Sequence, residues 1–407
     1  MESLPLHHHG IVIKEARQAA YITQEELAEV WPKAGGGVGV SSRYVQDVEY
    51  GKRRLESDYT LRKLAEILDI PLWKFGLSDY NPFDSFHPQN LPGQGKSMFA
   101  ETLATAQCLV QHVWLLRLTS PAFHAENSLQ RLNRLFRFFH EHLPPSSLLE
   151  KHYLRLYADV QCLNGVMRVE YKHYAEAINT FEGMYQTAKA LGNPATLAHA
   201  LMNLAVESER GGAKKQAIDM LEEARDLSFQ APKPIAALVN SYLSRVYASD
   251  GDALRFQRTN DTARTLGTHL KKDFSEDTDS VFYTESDILA ERSYGYLEVG
   301  EAQKTLDLKD EITKQLRKEN NFRLEVWIAL DWARAQMMLG EIEGSVEAAK
   351  LFFHRASALR SPHAQSRAYS FLKMLEEKGY ADVQAVKDFC EELNEAKQLQ
   401  EKKMKST

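Results

Sequence analysis

The sequence has little cysteine, no long hydrophobic run and no excess of positive charge. Its three cysteines are Cys108, Cys162 and Cys390, and no Cys-x-x-Cys pair occurs. This spacing signals neither a zinc site nor a disulfide framework, so we expect buried free thiols. No segment is apolar over the length of a membrane span, and the N-terminus lacks the pattern of a secretion signal. We therefore expect a cytoplasmic protein without a membrane partner.

The charge balance confines any nucleic-acid surface to a local patch. The 407 residues carry 50 basic and 56 acidic side chains, which gives a formal net charge of −6. A chain of this length exceeds one ordinary core and predicts two or three domains. The histidines at 7–9 form a terminal cluster that we expect to be solvated, and neither HExxH nor GxSxG occurs. We therefore expect no metal, no cofactor and no enzymatic activity.

Two glycine-rich stretches invite comparison with phosphate-binding loops. "NLPGQGKS" (90–97) ends like a nucleotide-binding loop, but Asn90 stands where the first glycine is required and no buried strand precedes it. We expect a linker at 78–97 instead of a nucleotide site. "PKAGGGVGVSS" (32–42) has three consecutive glycines, and its interpretation depends on the helices that flank it.

Helical spacing dominates the chain and predicts an all-α fold. From residue 149 onward a repeat is visible: Gly211 and Gly251, like Gly300 and Gly340, are 40 residues apart. A glycine that ends one helix before the next begins, repeated at this period, predicts stacked helical hairpins. We expect a connecting hairpin at 98–148, followed by five or six hairpins at 149–191, 195–230, 234–270, 281–319, 323–360 and 362–400.

The packing pattern of the second hairpin resembles that of tetratricopeptide repeats, although the period exceeds the usual 34 residues of that family. The pattern alternates large and small residues at Leu201, Ala205, Ala217, Leu221 and Ala224. The resemblance implies a right-handed superhelix over 149–407 that serves ligand binding and dimerisation. Its concave surface would be lined by the first helix of each hairpin.

The N-terminal 77 residues contain a set of residues with helix-turn-helix spacing. Thr23 is an N-cap with Glu26 as its capping-box partner, and Leu27 and Val30 are expected to face inward. Either Ser41 or Ser42 is expected to cap the next helix. The set resembles the helix-turn-helix family of phage-repressor and xenobiotic-response-element type, through Gln24, Leu27, Ala28, Gly39, Val40, Ser41, Glu49, Gly51, Arg53, Thr60, Leu61, Leu64 and Ala65.

The resemblance implies contacts with double-stranded DNA. Arg43 is the expected reader of a guanine, because its planar fork matches two acceptors. Residues 40–63 hold six basic and four acidic side chains, a modest excess of two that favours a homodimer on a two-fold site. The implied base or backbone contacts are Gln24, Ser41, Ser42, Arg43, Gln46, Asp47, Lys52, Arg53 and Arg54.

Against the family pattern, Pro32–Val38 is an insertion of seven residues between the two helices of the motif. Pro32 ends the first helix, and the glycines let the chain reverse without strain. We therefore interpret this stretch as a lengthened turn, with Lys33 placed along a DNA phosphate.

The combination of this motif with helical repeats resembles the peptide-pheromone receptors of Gram-positive bacteria. The resemblance implies that a short signalling peptide binds in the concave groove and changes DNA binding through the dimer. An alternative is a repeat scaffold that docks a protein partner, with DNA binding secondary. Helical spacing predicts groove positions, which could equally be solvated or core residues, at His199, Asn203, Asn240, Tyr242, Asp287, Glu291, Trp327, Asp331 and Arg334.

Overall fold

The computed structural model describes residues 8–78, 95–268 and 283–405, with side chains from 9 to 78, 99 to 268 and 283 to 399. Within these ranges every regular element is a helix, apart from one isolated antiparallel bridge between Pro32 and Val38. This confirms the predicted all-α class. No helix in the described ranges is long and apolar enough to cross a membrane. Most of the predicted linker at 78–97 lies outside the described residues.

The N-terminal bundle surrounds a core of its own. Ile13, Leu27, Val45 and Leu64 are fully buried in that core, together with Trp31. The bundle consists of α1 (His8–Ala19), α2 (Gln24–Val30), α3 (Ser42–Glu49), α4 (Asp58–Ile67) and a 3₁₀ turn (Leu72–Phe75).

One predicted core position of the bundle is wrong. Val30 is 44% exposed, whereas Trp31 is only 1% exposed. The reason is that α2 ends at Val30 and Trp31 adopts an extended backbone, with φ −61° and ψ 123°. This backbone turns the indole back into the core, where its ring lies edge-on to Tyr44 at 5.7 Å.

Side chains cap the helices of the bundle as the sequence predicts. The Thr23 and Glu26 capping box is present, with the Thr23 N–H donating to Glu26 Oε2 at 2.7 Å and the Glu26 N–H donating to Thr23 Oγ1 at 3.1 Å. Of the two candidate caps for α3, Ser41 is the one used, because its hydroxyl accepts from the Tyr44 N–H at 3.2 Å. These bonds satisfy N–H groups that have no partner inside the helix.

The repeat array follows a helical pair formed by α5 (Gly95–Thr119) and α6 (Ala122–His142). The helical pairs coincide with the six predicted hairpins, except that the fourth hairpin has its second helix divided at Leu308. The array consists of α7 (Glu150–Glu170), α8 (Tyr174–Leu191), α9 (Pro194–Arg210), α10 (Lys214–Ser228), α11 (Lys233–Ser249), α12 (Ala253–Gly267), α13 (Glu285–Glu298), α14 (Ala302–Asp307), α15 (Lys309–Glu319), α16 (Phe322–Met338), α17 (Ile342–Ala358), α18 (Pro362–Glu377) and α19 (Gln384–Lys405).

The glycine repeat marks the helix ends, with one shift. Gly251, Gly300 and Gly340 have left-handed φ values of 84°, 81° and 83° just after α11, α13 and α16. After α9 the left-handed residue is Gly212, with φ 86°, while Gly211 has a right-handed φ of −74°. The structural equivalent of Gly251 is therefore Gly212, and the spacing between these two hairpins is one residue shorter than predicted.

The first hairpin of the array contacts the fifth and the sixth. Arg323 at the start of α16 forms an ion pair with Glu170 at the end of α7, and both side chains are largely buried. The Tyr174 hydroxyl lies 3.0 Å from Nδ1 of His363 on α18. Helix α5 also packs against α16, and α7 against α18. The array thus curves back on itself around its concave surface, which forms the interior of the array.

Close packing in the bundle gives a first test. A Cβ added at Gly10 would lie 2.1 Å from the carbonyl oxygen of Val48, whereas one added at Gly35 would meet nothing within 4 Å. Backbone cannot move aside cheaply, so a steric cost of about 1–3 kcal/mol outweighs the gain in helix propensity of about 1 kcal/mol.

We expect Gly10→Ala to accelerate hydrogen exchange throughout α1–α4 in the full chain, and Gly35→Ala to leave that exchange unchanged. Equal exchange in both variants would contradict the packing of α1 on α3.

Candidate functional site

Helix α3 presents the side chains that the sequence predicts for DNA contact. Arg43 and Gln46 are exposed on it, and Ser42 and Asp47 are half-buried. The three basic residues at 52–54 that follow are also exposed. The Asp47 carbonyl accepts from the N–H groups of Lys52 and Arg53 at 2.8 and 3.1 Å, which fixes the basic stretch against the end of α3.

Gln24 occupies a different environment from the other predicted contacts. Its Nε2 donates to Glu49 Oε2 at 2.6 Å, and the Glu49 side chain has no exposed area. Arg17 binds the same carboxylate through Nε and Nη2, at 2.6 and 3.0 Å. These bonds hold α1, α2 and α3 together. A phosphate contact by Gln24 must therefore use the second N–H of its amide.

The sequence pattern predicted no role for Arg17 and placed Glu49 only at the end of a helix. A signal was available in the spacing of α3. Glu49 lies four residues after Val45 and one after Val48, on the side of α3 that faces the core. A carboxylate on an apolar face requires a buried partner, and Arg17 supplies it.

The inserted stretch between α2 and α3 is a small hairpin. Besides the bridge from Pro32 to Val38, the Lys33 N–H donates to the Gly37 carbonyl at 3.0 Å. Gly36 and Gly37 have left-handed φ values of 91° and 82°, which only glycine adopts readily. The expected lengthened turn is therefore an ordered protrusion, and Lys33 is exposed on it.

The bundle is joined to the array by two lysines. Lys74, in the 3₁₀ turn, places Nζ 2.5 Å from Oε2 of Glu150 at the start of α7. Lys151 Nζ donates to the Ala65 carbonyl at 2.8 Å and lies 3.1 Å from Asp69 Oδ1. Burial raises the pKa of Glu150 to about 7, although Lys74 opposes that shift. A movement of α7 would therefore act directly on the bundle through these contacts.

Three predicted groove residues are buried between helices. His199, Asn203 and Asn240 are 6, 8 and 5% exposed. The Asn203 amide donates to the His199 carbonyl at 2.9 Å, and the Asn240 amide donates to the Ala236 carbonyl at 2.8 Å. Each asparagine thus uses one N–H within its own helix, which reduces what it can offer to a ligand.

Cys162, His199 and Asn203 form a cluster whose composition resembles a cysteine nucleophile with its base. Cys162 Sγ lies 3.7 Å from His199 Nε2 and 3.6 Å from Asn203 Nδ2. Burial raises the pKa of the Cys162 thiol to about 12 and lowers the pKa of His199 to about 4. Both groups are therefore neutral near pH 7, and no thiolate is available for nucleophilic attack.

The other cysteines depart from the expected burial. Cys108 is exposed and Cys390 is partly buried, so the prediction of buried thiols is correct only for Cys162. The described residues contain no group of three or more histidine, cysteine, aspartate or glutamate side chains placed to hold a metal ion.

A row of charged side chains crosses the interior of the array. Arg245 on α11 lies between Glu209 of α9, at 3.3 Å, and Glu291 of α13, at 3.5 Å. Arg334 on α16 pairs with Glu298 of α13 at 2.7 Å. Helical spacing in the sequence predicted Glu291 and Arg334 as groove residues, but not Glu209, Arg245 or Glu298. The same spacing indicates Glu298, because it lies two helical turns after Glu291.

The interior perturbs the carboxyl groups that line it. The side chains of Asp287, Glu291 and Asp331 keep part of their surface accessible to solvent. They lie on the concave wall of the array, where protein surrounds them. Burial raises the pKa of Asp287 and of Asp331 to about 7, and also raises that of Glu291. Tyr242 stands beside them and its pKa is raised as well, mainly by burial. A surface of this kind favours a ligand that brings compensating charge.

Trp327, the remaining predicted groove residue, belongs mainly to the core of the last hairpins. Its ring lies 5.9 Å from Phe352 and 5.3 Å from His363. Burial is the largest cause that lowers the pKa of His363, to about 4, with Arg210 adding to the effect. Trp327 therefore borders the interior at the contact between the first and last hairpins.

No family model and no curated protein matches the sequence. Among solved structures, the chain is similar to PlcR of Bacillus thuringiensis in complex with the peptide PapR7 and DNA, with 13% identity over 89% of this chain and 98% of that chain and a TM-score of 0.39. It is also similar to the apo form of RapI, with 12% identity over 76% of this chain and 95% of that chain and a TM-score of 0.46. A Rap protein complexed with Competence and Sporulation Factor gives 9% identity over 74% and 89% and a TM-score of 0.46. At these identities and TM-scores, similarity to the three structures does not indicate a function for this chain.

The raised pKa of Asp331 makes a prediction about pH. An aspartate in an unfolded chain has a pKa of about 3.9, so between that value and about 7 the folded chain binds more protons than the unfolded chain. Stability is therefore lost as the pH rises through this interval. Asp331→Asn removes the loss, so the difference in thermal midpoint between variant and parent should grow in favour of the variant from pH 5 to 7.5.

The matched control is Asp219→Asn, an exposed aspartate on α10. Its difference from the parent should stay constant over the same interval. A constant or shrinking difference for Asp331→Asn would contradict the burial of this carboxyl in the interior.

Proposed function

We propose that the chain is a DNA-binding transcription regulator whose repeat array senses a ligand, most simply a short peptide, and that it acts as a homodimer. The observation that carries this proposal is the construction of α3. A short helix, capped by Ser41 and braced from behind by the buried Arg17 and Glu49 pair, displays Arg43 and Gln46 to solvent. This is the arrangement that a recognition helix needs in order to enter a major groove.

The surroundings of α3 support the DNA half of the proposal. Lys52, Arg53 and Arg54 lie beside the end of the helix, where they can bind phosphates and set its register on the duplex. The protruding hairpin adds Lys33 between α2 and α3. A single bundle has a small positive excess, so two copies bound to half-sites about 34–36 Å apart would supply the affinity.

The lining of the interior supports the proposal that the array binds a ligand. Ionisable groups with raised pKa values, tyrosines and half-buried ion pairs line the concave surface. Stacking of the hairpins alone does not require such a polar lining. Peptides match such a surface, because they bring amide donors and acceptors together with charged ends. The lysine contacts at Glu150 and Asp69 give the array a direct mechanical link to the bundle.

Substitution in α3 tests the DNA half. Duplexes are first selected from a random pool by the full chain. Arg43→Ala should then lose about 1–3 kcal/mol of discrimination between the selected site and a scrambled one, because a bidentate contact to a guanine is removed. The exposed Arg62 of α4 is the matched control, and Arg62→Ala should retain the discrimination.

Competition binding at several salt concentrations measures both effects. Unaltered discrimination in Arg43→Ala would show that α3 does not read the sequence. If the parent chain selects no duplex and its retention on DNA is independent of salt, the alternative of a scaffold that docks a protein partner would be favoured.

A further inference from the structure

Arg117 is a cation of the interior that lacks an ion-pair partner within the described part of the chain. Arg117 lies near the end of α5, and its Nε atom is buried without a hydrogen-bond acceptor there. Among the described residues no carboxylate lies within ion-pair distance of it. Its nearest aromatic contact is the face of Trp114, at 5.5 Å. Such a contact does not replace the hydrogen bond that the buried Nε of this half-buried side chain lacks.

The groups around Arg117 come from several helices of the array. Arg323 of α16 and Glu170 of α7 act on it most strongly, followed by Tyr242 of α11 and Cys162 of α7. Arg117 therefore faces the place where the first and fifth hairpins meet. Burial is the largest cause that lowers its pKa, to about 10, and the positive charge of Arg323 adds to the effect.

The one carboxylate in this group pairs with the other arginine. Glu170 Oε2 forms its ion pair with Arg323, while Glu170 Oε1 is buried without a hydrogen-bond partner among the described residues. Arg117 and Arg323 together carry two positive charges against the one negative charge of Glu170, which leaves an excess of one. Arg367 of α18 adds a second arginine without an ion-pair partner among the described residues, and its pKa is lowered by burial and by neighbouring arginines.

A structural role does not account for Arg117. A charged group that is partly removed from water destabilises the fold unless a counter-charge compensates it. Arginines with structural roles elsewhere in this chain have that compensation, as Arg17 does from Glu49 and Arg245 from Glu209 and Glu291. Arg117 has no such anion among the described residues. A planar anion with two acceptor atoms, such as a carboxylate, matches a guanidinium best.

We propose that Arg117 binds a carboxylate group of the ligand inside the array, at the contact between the first and fifth hairpins. This inference rests on the proposed ligand-sensing function and assigns one end of the ligand. The carboxylate can come from the C-terminus of a peptide or from an aspartate or glutamate side chain. In both cases the ligand neutralises the excess charge at Arg117 and bridges α5 to the hairpins that close the array.

The test uses the full chain and three pools of synthetic pentapeptides. The first pool lacks aspartate and glutamate and has a free C-terminal carboxylate. The second has the same sequences with a C-terminal amide. The third is amidated but contains aspartate and glutamate. Each pool is incubated with the immobilised parent, with Arg117→Gln and with Arg131→Gln, which removes an exposed arginine of α6, and the retained peptide is quantified by mass spectrometry.

We expect the parent and Arg131→Gln to retain one of the carboxylate-bearing pools about ten- to a hundredfold more than the second pool, as the loss of a charge-assisted bond predicts. Arg117→Gln should lose this preference. Retention of the first pool would assign the C-terminus, and retention of the third alone would assign a side chain. If Arg117→Gln keeps the full preference, the subsite is wrong while peptide binding stands. If the parent retains none of the pools, the peptide ligand itself is contradicted, and the subsite with it.

Thermal unfolding without peptide separates ligand binding from a structural role. Because Arg117 has no ion-pair partner among the described residues, Arg117→Gln should unfold at the same temperature as the parent or higher. Arg117→Met, which also removes the polar head, should behave in the same way. A midpoint several degrees lower in both variants, or failure of both to fold, would show that the structure itself needs this arginine and would overturn the proposal.

Discussion

The ion pair between Glu170 and Arg323 holds α7 against α16 at the interior of the array. Burial alone would raise the pKa of Glu170, but Arg323 outweighs burial and holds that pKa below its ordinary value. Removal of one partner from such a pair costs about 3–5 kcal/mol, because the other charge is left buried. The pair joins α7 of the first hairpin to α16 of the fifth across 153 residues. Arg117 lies beside this contact, since Arg323 and Glu170 are the charged groups that act on it most strongly.

The same helix that carries Glu170 at one end carries Glu150 at the other. Glu150 binds Lys74 of the bundle, so α7 spans from the contact with Arg323 to the junction with the N-terminal bundle. A ligand that alters the contact with Arg323 would act on a rigid element that also holds the bundle. This gives the proposed regulation a physical route in which one helix has two anchored ends.

Local features of the fold could be predicted from the sequence, and long-range ones could not. The capping box at Thr23 and the inward Val45 and Val48 follow from residues within one or two helical turns. The turn of Trp31 into the core, the pairing of Arg17 with Glu49 and the ring closure depend on residues that are distant in sequence. In the candidate site, helical spacing located Glu291 and Asp331 on the interior wall, but it could not reveal Arg117, which lies outside the repeats.

The central claim is that DNA binding by α3 and ligand binding in the interior are coupled, and coupling is reciprocal. Hydrogen exchange of the full chain, with and without a duplex that it has selected, tests this claim and does not require the ligand to be identified. Coupling predicts protection of α3 together with altered exchange in α7, α13 and α16. A change confined to α1–α4 would contradict coupling, because the bundle would then bind DNA independently of the array.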